Sequence, residues 1–432
     1  MLDASFIACT RMRNSEPKPK KKVSYLRIMT EQPVLRKKLL YALFITLLYL
    51  LGRTIPIPWI QAKTSPDIGD LRSFLAMTYG AAGDINSIFM LGYLPWMTAS
   101  IIIQLLTLTS GEKQSRLSQA RIRRVTAGLS LFIALLQDVL LSHRLSYRTD
   151  LGVSLALERL LTLLVLLAGS YTVVWLGDIN AKQSIGGANL IIMINILDSL
   201  RLQLVRSYQG FAPKERSGAL ILSAGYVLFA IFLTILLDRS EIRLYVQRVL
   251  IDSELAQKDY IAIRLNPVGT IAVMYGMAFF AFPLYLCEFL EEFFPESRAL
   301  QAVITGLRLN SREGVIWFLI TLIGLTVMLA FLYINPKDIA EQLQKSGDYI
   351  AGFPPGRETM QMLRRQIVFA GVTGGTAVSL CVSFPLFLRV ALASTNPIFM
   401  LLISIMILTG IVLQFLDELI SEIDVNRYDA LL

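Results

Sequence analysis

The sequence predicts an all-α polytopic membrane protein with ten transmembrane helices. Of its 432 residues, 54% are hydrophobic and 17% are charged, and the mean hydropathy is +0.58. A soluble protein would carry charge on roughly a quarter of its residues. Ten apolar stretches approach the roughly 20 residues that a helix needs to cross a bilayer. They lie at about 38–53, 87–108, 125–142, 154–176, 185–205, 216–238, 268–290, 314–334, 367–389 and 396–415.

The distribution of basic residues predicts the orientation. An even number of spans places both termini on one side of the membrane. Most of the 41 Lys and Arg residues then fall on that side, beginning with the basic tail at 1–24, so the termini are expected in the cytoplasm. The loop at 206–216 runs against this bias. The tail has no apolar core of a secretory signal, and its charge either fixes topology or attracts anionic lipid.

The second span has an unusual polar face. The segment Ser87–Thr107 reads SIFMLGYLPWMTASIIIQLLT and contains a break from Gly92 to Pro95. Three small or polar residues follow: Thr98, Ser100 and Gln104. Because unpaired polar groups are costly in hydrocarbon, this face is expected to line a protein interior or a water-filled path.

A short apolar segment precedes that span. Residues Leu71–Asp84 are rich in Gly and Ala and too few to cross a bilayer. The segment is therefore either an interfacial or re-entrant helix or a cap folded into a cavity. Its apolar members are Leu71, Phe74, Leu75 and Met77.

Two long polar connections are expected on the cytoplasmic side. Residues Arg239–Arg264 contain two alternating runs, IRLYVQRV and YIAIRL, which predict a pair of strands. Residues Asn335–Arg365 predict a short helix followed by a Gly/Pro turn at Gly352–Gly356. Their mixed charge is typical either of a docking surface for a soluble partner or of solvated loops.

The sequence argues against an enzyme, a metal protein or a cofactor-binding protein. Cys9, Cys287 and Cys381 are far apart, and His143 is the single histidine. The segment GVTGGT lies in an apolar span and lacks the Lys of a phosphate loop. No cofactor and no nucleic-acid partner is predicted.

The span centres lack ionisable residues. Five carboxylates are expected near span ends, where water reaches them: Asp138, Asp178, Asp198, Glu288 and Asp417. A secondary transporter, the alternative class with about ten helices, usually places ionisable residues near the midplane. This pattern favours a passive conduit driven by an external motor.

Several motifs in order resemble the SecY family of protein-translocation channels. They are TASIIIQLL in the second span, LRKKLLYALFITLLYLLGRTIPIPWI before it, SIGGANLIIM at the fifth span, YIAIRLNPVGTIAVMYG at the seventh and NPKDIAEQLQKSGDYIAGFPPG after the eighth. The resemblance implies two inverted halves of five helices, 25–208 and 209–432. It also identifies residues 71–84 as the plug that closes the channel from outside.

The resemblance also implies a constriction of aliphatic residues from helices two, five, seven and ten. The matching positions are Tyr93, Met97, Asn189, Met193, Met274, Ile403 and Ile407. Methionines replace the family's usual isoleucines, and a flexible apolar ring of this kind dewets when empty. A lateral gate is implied between helices two and three and helices seven and eight, with Thr98 and Gln104 as polar contacts.

The same resemblance implies the partners. They are a SecA-type motor ATPase, small SecE-like and SecG-like subunits, an unfolded preprotein and the lipid membrane. Motor docking is assigned to Arg243, Arg248 and Arg357, and Pro354 occupies a position where the family usually has Arg. These departures resemble the accessory SecY branch of Gram-positive bacteria, which implies export of serine-rich glycosylated adhesins. A housekeeping SecY is the alternative.

Overall fold

The computed structural model describes residues 33–61, 87–109, 118–147, 154–210, 216–247, 260–269, 271–350, 352–392 and 396–429. In these ranges the chain forms helices α1 (Pro33–Thr54), α2 (Leu94–Thr109), α3 (Gln119–Arg144), α4 (Leu155–Gln183), α5 (Gly187–Gly210), α6 (Arg216–Arg239), α7 (Ile271–Phe293), α8 (Arg298–Leu307), α9 (Arg312–Tyr333), α10 (Pro336–Ser346), α11 (Arg357–Ala391) and α12 (Ile398–Asp429). Three strands accompany them: β1 (Glu241–Gln247), β2 (Tyr260–Arg264) and β3 (Tyr349–Ile350).

The predicted all-α membrane class is confirmed. Within the described ranges, eight helical stretches are long and apolar enough to cross a membrane, and they coincide with α3 to α7, α9, α11 and α12. Helices α1 and α2 occupy the first two predicted spans, and α2 is apolar but only 16 residues long. Ten crossings therefore remain a prediction.

Helix α2 begins inside the predicted span of 87–108, at the predicted break. Residues 87–93 form a bridge and turns before the helix begins at Leu94. Gly92 has a φ of 60°, which favours glycine, and Pro95 follows in the first helical turn, where it costs no hydrogen bond. The break between Gly92 and Pro95 is thus a helix start.

Helices α11 and α12 extend furthest beyond their predicted spans, and helix α8 was not predicted. Helix α11 has 35 residues and α12 has 32, because their polar ends continue as helix outside the apolar stretch. Helix α8 is a 10-residue amphipathic helix in the connection between α7 and α9. The Ser297 side chain caps it by accepting from the Leu300 amide.

The predicted strand pair is confirmed. Strands β1 and β2 pair antiparallel from Glu241 opposite Arg264 to Tyr245 opposite Tyr260. Strand β3 joins the other edge of β1, which gives a sheet of order β2-β1-β3. The predicted short helix is α10, capped by Asn335 and ended by Gly347 at a φ of 76°. The hairpin and α10 therefore lie side by side.

The start of α1 and the end of α12 lie on the same face of the molecule. The Lys38 Nζ atom lies 2.6 Å from Glu422 Oε1. Leu35 and Leu419 pack in one small hydrophobic cluster with Ile185 of the α4–α5 turn. This agrees with an even number of crossings, while the cytoplasmic assignment of this face remains a prediction.

Candidate functional site

Most of the predicted ring residues meet in the central hydrophobic cluster. Its buried members include Tyr93, Met97, Met274, Ile403 and Ile407, and Met193 packs against them half-buried. Tyr93 directly precedes α2, and the other side chains come from α2, α5, α7 and α12. Ile407 is 0% exposed and Met274 is 1% exposed. The cluster therefore packs as tightly as a protein core at the point where these helices converge.

Asn189 and Tyr93 also reach neighbouring elements. The Asn189 side-chain amide donates to Gln414 Oε1 of α12 at 3.4 Å. The Tyr93 ring lies over Gly177 of α4, where an added Cβ would meet Cε2 at 3.5 Å. Their assignment to the constriction remains a prediction.

The cluster contains further residues that the sequence reasoning missed. Met277, Met400 and Met406 are buried in it, as are Ile192 and Ile196. Their spacing held a signal, because Met277 and Met406 follow assigned residues at the i, i+3 interval of one helix face. With Met97, Met193 and Met274, six methionines contact this cluster, so its centre is lined by unbranched, adaptable side chains.

The predicted gate helices are in contact along an apolar seam. Helix α2 contacts α7 and α9, and α3 contacts α7. Ile101 of α2 is fully buried in a cluster with Ala272 of α7 and Leu325 of α9. The seam is therefore closed by hydrophobic packing, which water does not penetrate readily.

The two predicted gate residues differ in their contacts. The Thr98 hydroxyl donates to Leu94 O of its own helix at 2.9 Å, so it is satisfied within α2. Gln104 donates to Ser100 Oγ at 3.2 Å, and its side chain lies close to the Tyr275 hydroxyl of α7. Gln104 thus makes a polar contact across the seam, and Tyr275 is a partner that sequence reasoning missed.

A second polar contact joins the ends of the gate helices. His143 Nδ1 of α3 lies 3.1 Å from Glu292 Oε1 of α7. Both side chains are partly exposed. A polar contact with this exposure contributes little free energy, so the apolar seam carries most of the closure.

Two carboxylates are more buried than the sequence predicted. Asp138 of α3 is 0% exposed and Glu288 of α7 is 5% exposed, so the expectation that water reaches them is wrong. Both oxygens of Asp138 have no hydrogen-bond partner among the described residues. The sequence position of these residues near a span end did not reveal their burial, because neighbouring helices cover their side chains. Asp178, Asp198 and Asp417 are partly exposed, as expected.

Helices α5 and α12 form a seam of a different kind. Gln203 Nε2 of α5 lies 3.2 Å from Ser404 Oγ of α12. At the other end, the Gly186 amide donates to Glu418 Oε2 at 3.0 Å. Polar side chains thus connect α5 and α12, whereas the gate seam is largely apolar.

The predicted docking residues lie on the polar projections. The Arg243 guanidinium donates to Glu241 Oε1 at 2.6 Å and stacks over Tyr260 at 4.8 Å from the ring centre. The hydrogen bond to Glu241 raises the pKa of Arg243. Arg357 is exposed at the start of α11. Arg248 and the plug residues Leu71, Phe74, Leu75 and Met77 lie outside the described residues.

A cleft separates the sheet from α10. Its volume is about 450 Å³, and Val246, Tyr260, Ile261, Ile339 and Leu343 line most of it. Asp348 stands at its rim, with its carboxylate accepting from Ser346 at 2.8 Å. Exposed charges beside an apolar cleft give this surface the composition of a protein-docking site.

Comparison with known proteins places these features in one family. The SecY family model matches residues 87–416. An accessory Sec system protein translocase subunit SecY2 of Streptococcus sanguinis is 29% identical over 404 residues, covering 93% of this chain and 99% of the relative. The equivalent subunit of Leuconostoc gelidum is 25% identical and covers 91% of this chain and 96% of the relative.

Solved structures share the fold. A structure described as a protein conducting channel superposes with a TM-score of 0.63 at 18% identity, covering 91% of this chain and 93% of that chain. Sec61 from a canine ribosome–channel complex superposes with a TM-score of 0.58 at 17% identity, with the same coverage. At these identities the likeness shows the fold alone.

Proposed function

This chain belongs to the SecY family, and we propose that it forms the pore of an accessory-type translocase that conducts unfolded secretory polypeptides across the cytoplasmic membrane. The observation that carries the proposal is the buried Met and Ile cluster where α2, α5, α7 and α12 converge. In a channel of two helical halves, this cluster is the resting seal. Dry apolar constrictions block water and ions without a dedicated gate element.

Opening requires the cluster to reshape rather than to be removed. Methionine side chains have three rotatable bonds and little shape preference, so they close around passing side chains of different size. In this mechanism the segment at 71–84 moves aside from the pore, and the methionines stay in contact with the translocating chain on all sides. The unfolded chain enters from the face that carries the hairpin and α10.

Lateral exit uses the seam between α2 and α3 on one side and α7 and α9 on the other. When the seam opens, its apolar helix–helix contacts are replaced by equally apolar contacts with a signal sequence. The net free-energy cost of opening is therefore small. The polar contact between Gln104 and Tyr275 must separate when the seam opens. A single polar contact contributes about 1 kcal/mol or less, which a bound signal sequence can offset.

The partners follow from the family and its accessory relatives. We infer that a SecA-type ATPase docks on the hairpin and α10, and that SecE-like and SecG-like subunits clamp the helices within the membrane. The accessory Sec system relatives support an accessory route. From the family resemblance we infer that its cargo is serine-rich glycosylated adhesins. Pro354, where the family usually has Arg, favours a specialised motor over the housekeeping one.

Reconstitution tests the proposed function. The chain is placed in proteoliposomes with its small subunits, the SecA-type ATPase of its own genome, ATP and an unfolded serine-rich preprotein. We expect ATP-dependent protection of the preprotein from external protease, and weaker protection with the housekeeping motor. Protection that needs no motor, or none with either motor, would contradict the proposal.

A further inference from the structure

The base of the β-hairpin is a compact junction of backbone and charge. Arg239 is the last residue of α6, and Arg264 is the last residue of β2. The Leu265 amide donates to Ser240 O at 2.8 Å, which closes the hairpin between these two arginines. The two strands therefore leave the membrane helices at one point, and a basic side chain marks each of them.

One carboxylate of α12 holds both arginines. Asp417 Oδ1 lies 3.0 Å from Arg239 Nη2, and Asp417 Oδ2 lies 3.3 Å from Arg264 Nη2. Asp238 adds a second contact to Arg264, from Oδ1 to Nη1 at 3.6 Å. Two donors on two oxygens fix the carboxylate in a way that an isolated surface ion pair does not.

Helix α12 extends from this junction into the central cluster. It runs from Ile398 to Asp429 without a proline, so it behaves as one rigid element. Ile407 lies ten residues before Asp417, about 15 Å along the axis. On another side, Glu418 and Gln414 contact Gly186 and Asn189 near the α4–α5 turn. A shift of the hairpin base is thus passed to the cluster through α12.

We propose that Asp417 is a positioning residue that couples the cytoplasmic hairpin to the Met/Ile cluster. The inference rests on the proposed function, because the hairpin is there a motor-docking element. A motor that moves the hairpin displaces Arg239 and Arg264 with it. Asp417, which holds both arginines, transmits this displacement along α12 to Ile403 and Ile407. Removing the Asp417 carboxylate leaves the docking surface on the hairpin intact. The hairpin is then no longer connected to the Met/Ile cluster.

The test compares Asp417→Asn with Glu422→Gln in proteoliposomes. Glu422 is a matched control, since it is an acidic residue on the same helical extension that pairs with Lys38 rather than with the hairpin. We expect Asp417→Asn to bind the motor with unchanged Kd and to hydrolyse ATP normally. Translocation per ATP should fall at least about fivefold, the low end of typical coupling between sites. Asp417→Glu, which keeps the charge, should retain part of the translocation per ATP that Asp417→Asn loses.

A double-mutant cycle separates coupling from a general loss of stability. The variant with both Arg239→Gln and Arg264→Gln should show the same fall in translocation per ATP. Adding Asp417→Asn should lower it little further, because the three residues act through one network of contacts. Normal translocation per ATP by Asp417→Asn would overturn the inference while leaving the channel function intact. Loss of motor binding in that variant would also overturn it. An inactive parent chain would instead refute the proposed function.

Discussion

Methionine side chains at the centre of the bundle define the resting state at the scale of single residues. If Met97, Met193 and Met274 face the constriction, replacing all three with Gly removes the apolar barrier. We expect a severalfold higher ion conductance of the resting channel in planar bilayers. The matched control places Gly at three lipid-facing positions of α6, Ile221, Leu228 and Phe232, which are all more than half exposed. Equal conductance in the two triple variants would remove these methionines from the ring.

Asp138 is expected to reduce stability in the resting state. A buried carboxyl without a hydrogen-bond partner costs about 1–3 kcal/mol relative to an apolar group. Asp138→Leu should therefore raise the thermal midpoint of the detergent-solubilised protein by a few degrees. The control is Asp178→Leu, at a partly exposed residue that pairs with Arg123, and this change should leave the thermal midpoint unchanged or slightly lower. A lower midpoint for Asp138→Leu would mean that this carboxyl has a stabilising partner.

The hairpin and α10 are the elements on which motor binding is expected to depend. Reversing Arg243, Arg248 and Arg357 to Glu should slow motor association about tenfold or more, because rim charges act mainly on the association rate. Protein level should not change, since surface substitutions alter stability by about 0.5 kcal/mol or less. Arg201→Glu, at an exposed site on α5, is the control. Surface plasmon resonance at two salt concentrations measures both effects, and unchanged association would place the motor elsewhere.

Pro354 provides a test of motor choice on the same surface. The loop around it is fixed, because the Thr359 hydroxyl donates to Pro354 O at 2.8 Å. Pro354→Arg keeps that carbonyl and adds the side chain that the family usually has. We expect translocation with a housekeeping SecA to rise relative to the dedicated motor. No change in this ratio would exclude the loop tip from motor selection.

Element boundaries show what the sequence could and could not predict. Hydropathy located eight helices of membrane length among the described residues, and alternation located β1 and β2, because both signals depend on local patterns. The length of α12 beyond residue 415 was missed, since its polar extension is stabilised by contacts with Leu35 and Arg264 that are distant in sequence. Helix α8 was missed because its amphipathic face packs on neighbouring helices and has no membrane-length apolar run.

For the whole molecule, the family resemblance predicted which helices meet, but not the detailed chemistry of their contacts. The predicted ring positions on α2, α7 and α12 fall in one cluster, and their role as the channel constriction stays a prediction. The Gln104–Tyr275 contact and the shared carboxylate of Asp417 depend on side-chain directions across helices. No spacing rule within one helix contains that information, so the structure was needed to find them.

The most direct test of the central claim is the path of a chain in transit. A preprotein with one cysteine is stalled by a folded C-terminal domain, in channels whose native cysteines are replaced and which carry one cysteine at Met97, Met274 or Ile407. We predict disulfide formation at all three positions. Leu222 on α6, 74% exposed, is the lipid-facing control and should not react. Cross-linking at Leu222 with none at the three cluster positions would contradict a pore through the Met/Ile cluster.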